Sequence, residues 1–326
     1  MDNKITKSRL SNLFAYEWII MIIVIVSAVI GLELVFSMTA ARTSVGQQFT
    51  YFYDETIYGG NDRAFKNLLV DKKTFSYDVL EVNSETLQSK YNTMQLRLSV
   101  DNGDILITDI SEMEYEGVKV RRANIIADRN PIYSMDDLLR DAKAYIRPFV
   151  NDFDTADLYA PSLNLTAIER NFNARMKKDN RYRFDELAKK EGLNLEIARI
   201  KDLCRQVADF EKLFEIDDSL PDEEKLFYSY RRYAETYAIV KDEEEKEEYK
   251  NKLAKEVEKR YALRVDRLSS TTGKQNTSEF FRKIEATTSK DVVIMAFNFK
   301  GAQPDLQYET ISFINTVVRS FSDILD

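Results

Sequence analysis

The residues best placed to do chemistry are Asp109, Ser111 and Glu112, which follow the apolar run Asp104-Ile-Leu-Ile-Thr-Asp109. In open α/β sheets ligands bind outside the carboxyl ends of the strands. An acid and a hydroxyl at such an edge could hold a small solute, so Asp109 and Ser111 are expected to bind ligand. The simpler alternative is that Asp109 caps the turn after the strand. Tyr77 and Asp78, on the preceding β-favouring stretch, complete the candidate set. Other chemistry is sparsely represented. The chain has no His, which removes Ser-His-Asp and Cys-His systems and imidazole metal sites. Its single Cys, Cys204, sits in an amphipathic segment and reads as a buried apolar residue. Thr272-Gly273-Lys274-Gln275 lacks the first Gly and the Ser or Thr of a phosphate loop. Asp152, Asp154 and Asp157 begin like a calcium loop but lack its turn Gly and closing Glu. No catalytic group, metal or cofactor is expected. A net charge of −8, with no basic patch interleaved with aromatics, argues against nucleic acid as a partner.

The elements that would position these residues follow from pattern. Charged residues at 31%, with nine Gly and five Pro in 326 residues, predict a helix-rich α/β fold. Residues 39–74 read as a connector with extended pieces, among them the aromatic run Phe49–Tyr53 and a short helix over Asp62–Val70. Thr74–Val82 alternates as a strand does. Leu87, Tyr91, Met94 and Leu98 then recur at helical spacing. With the 104–109 strand this predicts a βαβ unit and a parallel sheet. A second extended region is expected at Gly117–Ala127, and Ser134 is placed to cap a helix carrying Leu138, Ala142, Tyr145 and Phe149. Residues 160–265 read as a helical insertion, with amphipathic segments at Leu195–Phe214, Leu226–Val240 and Glu243–Val265. Asp291–Phe299 reads as a buried strand able to return to the sheet beside 104–109. A helix starting near Pro304 then buries Ile311, Ile314, Val318, Phe321 and Leu325.

One stretch sets the compartment for everything else. Trp18–Met38 is almost unbroken Ile, Val, Met, Ala and Leu, long enough to cross a hydrocarbon core of about 30 Å as a helix. Lys4, Lys7 and Arg9 precede it, so the 1–17 tail is expected in the cytoplasm and the large region outside the plasma membrane. Glu17 and Glu33 lie about 24 Å apart along such a helix, near the two edges of the core. Both can reach the headgroups, or either can face a partner helix.

The run from Phe75 to Asp109, ending in DNGDILITD, resembles the segment of extracellular solute-binding proteins of ABC transporters that reads strand, helix, then a Gly-Asp, an apolar run and an Asp. DVVIMAFNF, followed by YETISFINTVV, is similar to their late strand and helix. The resemblance covers about a third of the chain by motif. It implies a two-lobed, type 2 periplasmic-binding-protein-like domain over 75–326, anchored by 18–38. It also implies a non-catalytic role, binding an unknown solute or ABC permease subunits. The chain departs from that family in carrying a membrane span where a lipid-anchoring Cys is usual, and its only Trp is Trp18 in that span. The alternative is a structural or interaction protein whose cleft is filled.

Overall fold

The computed structural model describes residues 18–39, 47–57, 59–87, 103–176, 185–268, 277–298 and 309–325. The chain divides into two compact units, Met1–Ser44 and Val45–Asp326. The first contains the helix α1 (Trp18–Thr39), 22 residues and about 33 Å by helix rise. Its side chains are described for 22–32 alone, where Ile22, Ile23, Val24, Ile25 and Leu32 stand exposed. Among the residues whose side chains are described, which in α1 are 22–32 alone, no helix is long and apolar enough to cross a membrane. Glu17 lies outside the described residues, and Glu33 is described in its backbone only.

The second unit opens with β1 (Gln48–Asp54), α2 (Arg63–Asp71), β2 (Glu81–Leu87) and β3 (Ile105–Asp109). A hairpin, β4 (Glu112–Tyr115) and β5 (Val118–Arg121), leads into α3 (Arg122–Arg129), β6 (Ile132–Tyr133) and α4 (Met135–Ile146). Then come α5 (Leu165–Met176), α6 (Glu186–Ser219), β7 (Phe227–Arg231), α7 (Ala234–Ile239), α8 (Glu243–Lys255) and β8 (Glu258–Arg264). The chain finishes with α9 (Thr277–Lys283), β9 (Val292–Phe297) and α10 (Glu309–Phe321).

Seven strands form one mixed sheet in the order β2-β1-β3-β9-β8-β7, with β6 also pairing β9. β1 runs parallel to both β2 and β3, while β9 is antiparallel to β3, β6 and β8. Strands buried on both faces read as near-continuous apolar runs. That is the pattern of β1, β3 and β9, whose alternate side chains serve opposite faces. Tyr51, Tyr53, Ile107 and Ile294 pack with α2, α4, α6, α9 and α10. Phe52, Leu106, Val293 and Met295 pack with α3 and with Tyr228, Tyr230 and Tyr261. On the first face the rings of Phe65 and Phe313 meet edge to face at 5.8 Å, and Phe49 stacks on Phe313 at 5.5 Å. Gly103 has φ +151°, and a Cβ there would come within 2.5 Å of the Phe52 ring, so the approach to β3 depends on glycine.

The late strand and helix stand where the sequence places them. β9 returns beside β3, and α10 buries Ile311, Ile314, Val318, Phe321 and, just beyond, Leu325. The Asp62–Val70 helix is present as α2, and Ser134 caps α4 by accepting from the backbone N of Asp137. Four readings are corrected. The stretch read as a connector contributes β1, between the other two parallel strands. The parallel βαβ unit is β1-α2-β2, because strand pairing with β1 continues through Leu87 where a helix was expected; the remainder, 88–100, lies outside the described residues. Ile125 and Ile126 lie on α3, since the extended region stops at Arg121. The 160–265 region is not all helix: β7 and β8 pair across it and join the main sheet, with Tyr228, Tyr230 and Tyr261 on strands. The Pro304 helix start falls outside the described residues, and α10 is described from Glu309.

Candidate functional site

The register of the parallel strands fixes what meets at their carboxyl ends. Tyr53 lies opposite Ile107, so Asp54 ends β1 beside Thr108 and Asp109 at the end of β3. Each acid closes a mostly apolar strand and is almost wholly buried. Thr56, in the turn after β1, places its Oγ1 3.0 Å from Asp54 Oδ1 and 2.8 Å from Asp109 Oδ2. One hydroxyl hydrogen serves one of these acceptors at a time. The Thr108 hydroxyl donates to Asp54 Oδ2 at 3.1 Å. The backbone N of Ser111 donates to Asp109 Oδ1 at 3.0 Å, and its hydroxyl contacts the same oxygen.

The cation for these two acids is Arg122, first residue of α3. Its Nη1 lies 3.4 Å from Asp54 Oδ2 and its Nε 3.8 Å from Asp109 Oδ2, with a side chain 20% exposed. These are long contacts for a charge-assisted pair. A further segment crosses this edge. Thr287 donates its backbone N to the Ile57 carbonyl at 2.8 Å and its hydroxyl to the Thr56 carbonyl at 2.6 Å. The backbone N of Ile110 donates to the Asp291 carbonyl at 2.9 Å, and Asp291 is paired in turn with Arg264.

Tyr77 and Asp78 do not join this set. They precede β2, whose Glu81 lies opposite Gln48, so they sit beyond the amino ends of the same parallel strands. There Asp78 pairs with Arg175 at 3.2 Å, and the Tyr77 hydroxyl donates to Glu196 at 3.0 Å. Glu196 also receives Arg175 at 2.9 Å and both Nε and Nη2 of Arg199, at 2.9 and 3.1 Å. Arg199 gives a further bond to the Tyr145 hydroxyl at 2.7 Å. Burial alone would raise the Glu196 carboxyl, but Arg199, Arg175 and Tyr77 outweigh it and hold it below its usual range. This network ties the 74–80 segment to α4, α5 and α6.

The sequence reading therefore located Asp109 and Ser111 but missed Asp54, Thr56 and Arg122. A usable signal was present: Phe49–Asp54 and Ile105–Asp109 are both apolar runs closed by Asp. Arg122 carries no such signal, because its role comes from the hairpin that returns the chain to Ser111. Chemically the edge offers two carboxylates, three hydroxyls and one guanidinium, suited to hydrogen-bonding a polar ligand. Among the described residues no three His, Cys, Asp or Glu side chains converge to hold a metal. Comparison with known proteins gave no match to any family model, curated protein or solved structure.

Proposed function

We propose that this chain is a single-pass membrane protein, with α1 spanning the bilayer, the 1–17 tail in the cytoplasm and the Val45–Asp326 unit outside. In this reading the unit is a solute-binding-protein-like component associated with an ABC permease. It acts by docking on protein and catalyses nothing. The two-lobed type 2 plan belongs to this reading, supported by chain order alone: early parallel strands, a long intervening region and a late strand that joins the same sheet beside β3. One observation favours docking over solute capture. The polar groups at the carboxyl ends of β1 and β3 are occupied by one another, and the 287–291 segment bonds across that edge. An occupied edge is what a filled cleft requires.

A second reading, capture of a polar solute at this edge, is favoured by the long contacts and partial exposure of Arg122. Thermal-shift screening of the full chain in detergent, against sugars, peptides and amino acids, separates the two. Docking predicts no stabilisation by any class, together with co-purification of permease subunits. A rise of several degrees with one class, lost in Asp109→Asn, would replace docking with capture. For α1, alkaline carbonate extraction of membranes is decisive: release of the chain into the supernatant overturns the anchor.

A further inference from the structure

The segment joining α9 to β9 lies against the turn that follows β1. Its Thr287 donates a backbone N to the Ile57 carbonyl at 2.8 Å and a hydroxyl to the Thr56 carbonyl at 2.6 Å. Both acceptors are main-chain carbonyls, so any extended chain with a Ser or Thr at that point can make the same two bonds. At the start of the segment Asn61 donates its side-chain amide to Glu285 Oε1 at 3.1 Å, and a Cβ on Gly59 would overlap the Glu285 carbonyl oxygen. Apolar burial adds little. Ala286 is the one apolar side chain between Glu285 and Asp291, and it is half-buried, while Thr287, Ser289 and Lys290 are exposed. Both bounding residues are left-handed, Glu285 at φ 48° and Asp291 at φ 59°. Backbone of that kind outside glycine persists where the surroundings impose it.

We propose that the carbonyls of Thr56 and Ile57 are a seat for an extended peptide segment of a partner protein, filled in the partner's absence by the chain's own 286–290 strap. The partner segment presents a backbone N–H and a Ser or Thr hydroxyl, as Thr287 does. The Thr56 side chain meanwhile contacts Asp54 and Asp109, so the seat adjoins the polar edge of β1 and β3. This rests on the docking reading and names the surface that docks.

The probe is a peptide of residues 286–291, Ala-Thr-Thr-Ser-Lys-Asp, with a free amino end and a fluorophore at its carboxyl end. It lacks the Glu285 carbonyl. Its binding to the full chain in detergent is read by anisotropy. In the unsubstituted chain the tethered strap competes at an effective concentration on the order of millimolar. Gly59→Ala drives the Glu285 carbonyl away and is expected to bind the peptide about tenfold more tightly than the unsubstituted chain. A peptide with Val in the place of Thr287 is expected to lose that gain. Equal affinity of the two chains, or of the two peptides, overturns the seat. Should Gly59→Ala not fold, hydrogen exchange in the unsubstituted chain decides it. The Thr287 amide is expected to exchange about tenfold faster than the amides of β3, and equal protection overturns a strap that leaves by itself. Peptide binding without co-purified permease subunits keeps the seat and removes the permease as its user. Co-purification without peptide binding keeps docking and overturns the seat.

Discussion

At the carboxyl ends of β1 and β3 one partly exposed guanidinium serves two acids across 3.4 and 3.8 Å. At the amino ends Arg199, with its side chain 3% exposed, grips Glu196 through two short bonds, and Arg175 joins from another helix. The two clusters lie at opposite ends of the same parallel strands, yet they differ in what they hold together. The carboxyl-end set is local, joining turns that already follow the strands. The amino-end set joins four separate stretches of chain and is part of the core. An apparent constellation of charged residues is thus structural in one place and open to exchange in the other. The deciding quantity is how much charge is left uncompensated when one member is removed.

The strongest way to break this contrast is to remove the buried cation. Arg199→Met leaves Glu196 with less compensation in the core and is expected to lose about 3–5 kcal/mol in urea unfolding. A loss under about 1 kcal/mol would mean that the amino-end set is as dispensable as an exposed pair. Next in size is Asp128→Ala on α3. Asp128 accepts from the backbone N of Tyr233, and from the backbone N and hydroxyl of Thr236, capping α7 from a distance. Its loss is expected to cost about 2 kcal/mol in the same assay. At the carboxyl ends, Asp54→Asn keeps the shape and part of the hydrogen bonding, and about 1 kcal/mol is expected. Smallest is Glu247→Gln, which breaks the exposed Glu247–Lys250 pair of α8 and should leave the unfolding midpoint unchanged.

pH sharpens the comparison further. Glu196 is depressed in the fold, so its stabilisation is present above about pH 4.5 and is lost as acid takes the medium through its lowered value. Asp104 is raised, so its contribution is complete below about pH 4 and is lost as pH climbs through about 7. Unfolding free energy should therefore decline from mildly acid toward neutral pH, and Asp104→Asn should remove part of that decline, the raised carboxyls of Asp128, Glu235 and Glu309 supplying the rest. A flat profile over this interval would contradict the assignment.

What could be read from the sequence was whatever a single local period determines. β9 is an unbroken apolar run, α10 keeps a strict apolar stripe, and α4 announces itself with Ser134, Asp136 and Asp137. Phe227–Arg231 was misread because Tyr228, Tyr230, Tyr233 and Tyr237 satisfy both a helical and an alternating pattern over so short a span. The structure resolves it with a left-handed Tyr233 at φ 68°, which ends β7 and starts α7. The site was half legible for a related reason. Asp109 follows from the end of a strand, but Asp54 and Arg122 reach it only through register and a hairpin. The pairing of Asp78 with Arg175 spans 97 residues, and no local pattern anticipates it.

The place of β9 in the sheet bears on how the chain can be made. β3 gains its second neighbour only from residues 292–297, near the C-terminal end of the sequence. Until that segment emerges from the ribosome, one whole edge of β3 lies open, and β8 lacks the strand that joins it to the parallel half. Long-range pairing of this kind is slow, and open strand edges invite association with other chains. Nascent chains shorter than about 290 residues should therefore need a holding chaperone, whereas chains extended past β9 should resist protease over the whole sheet.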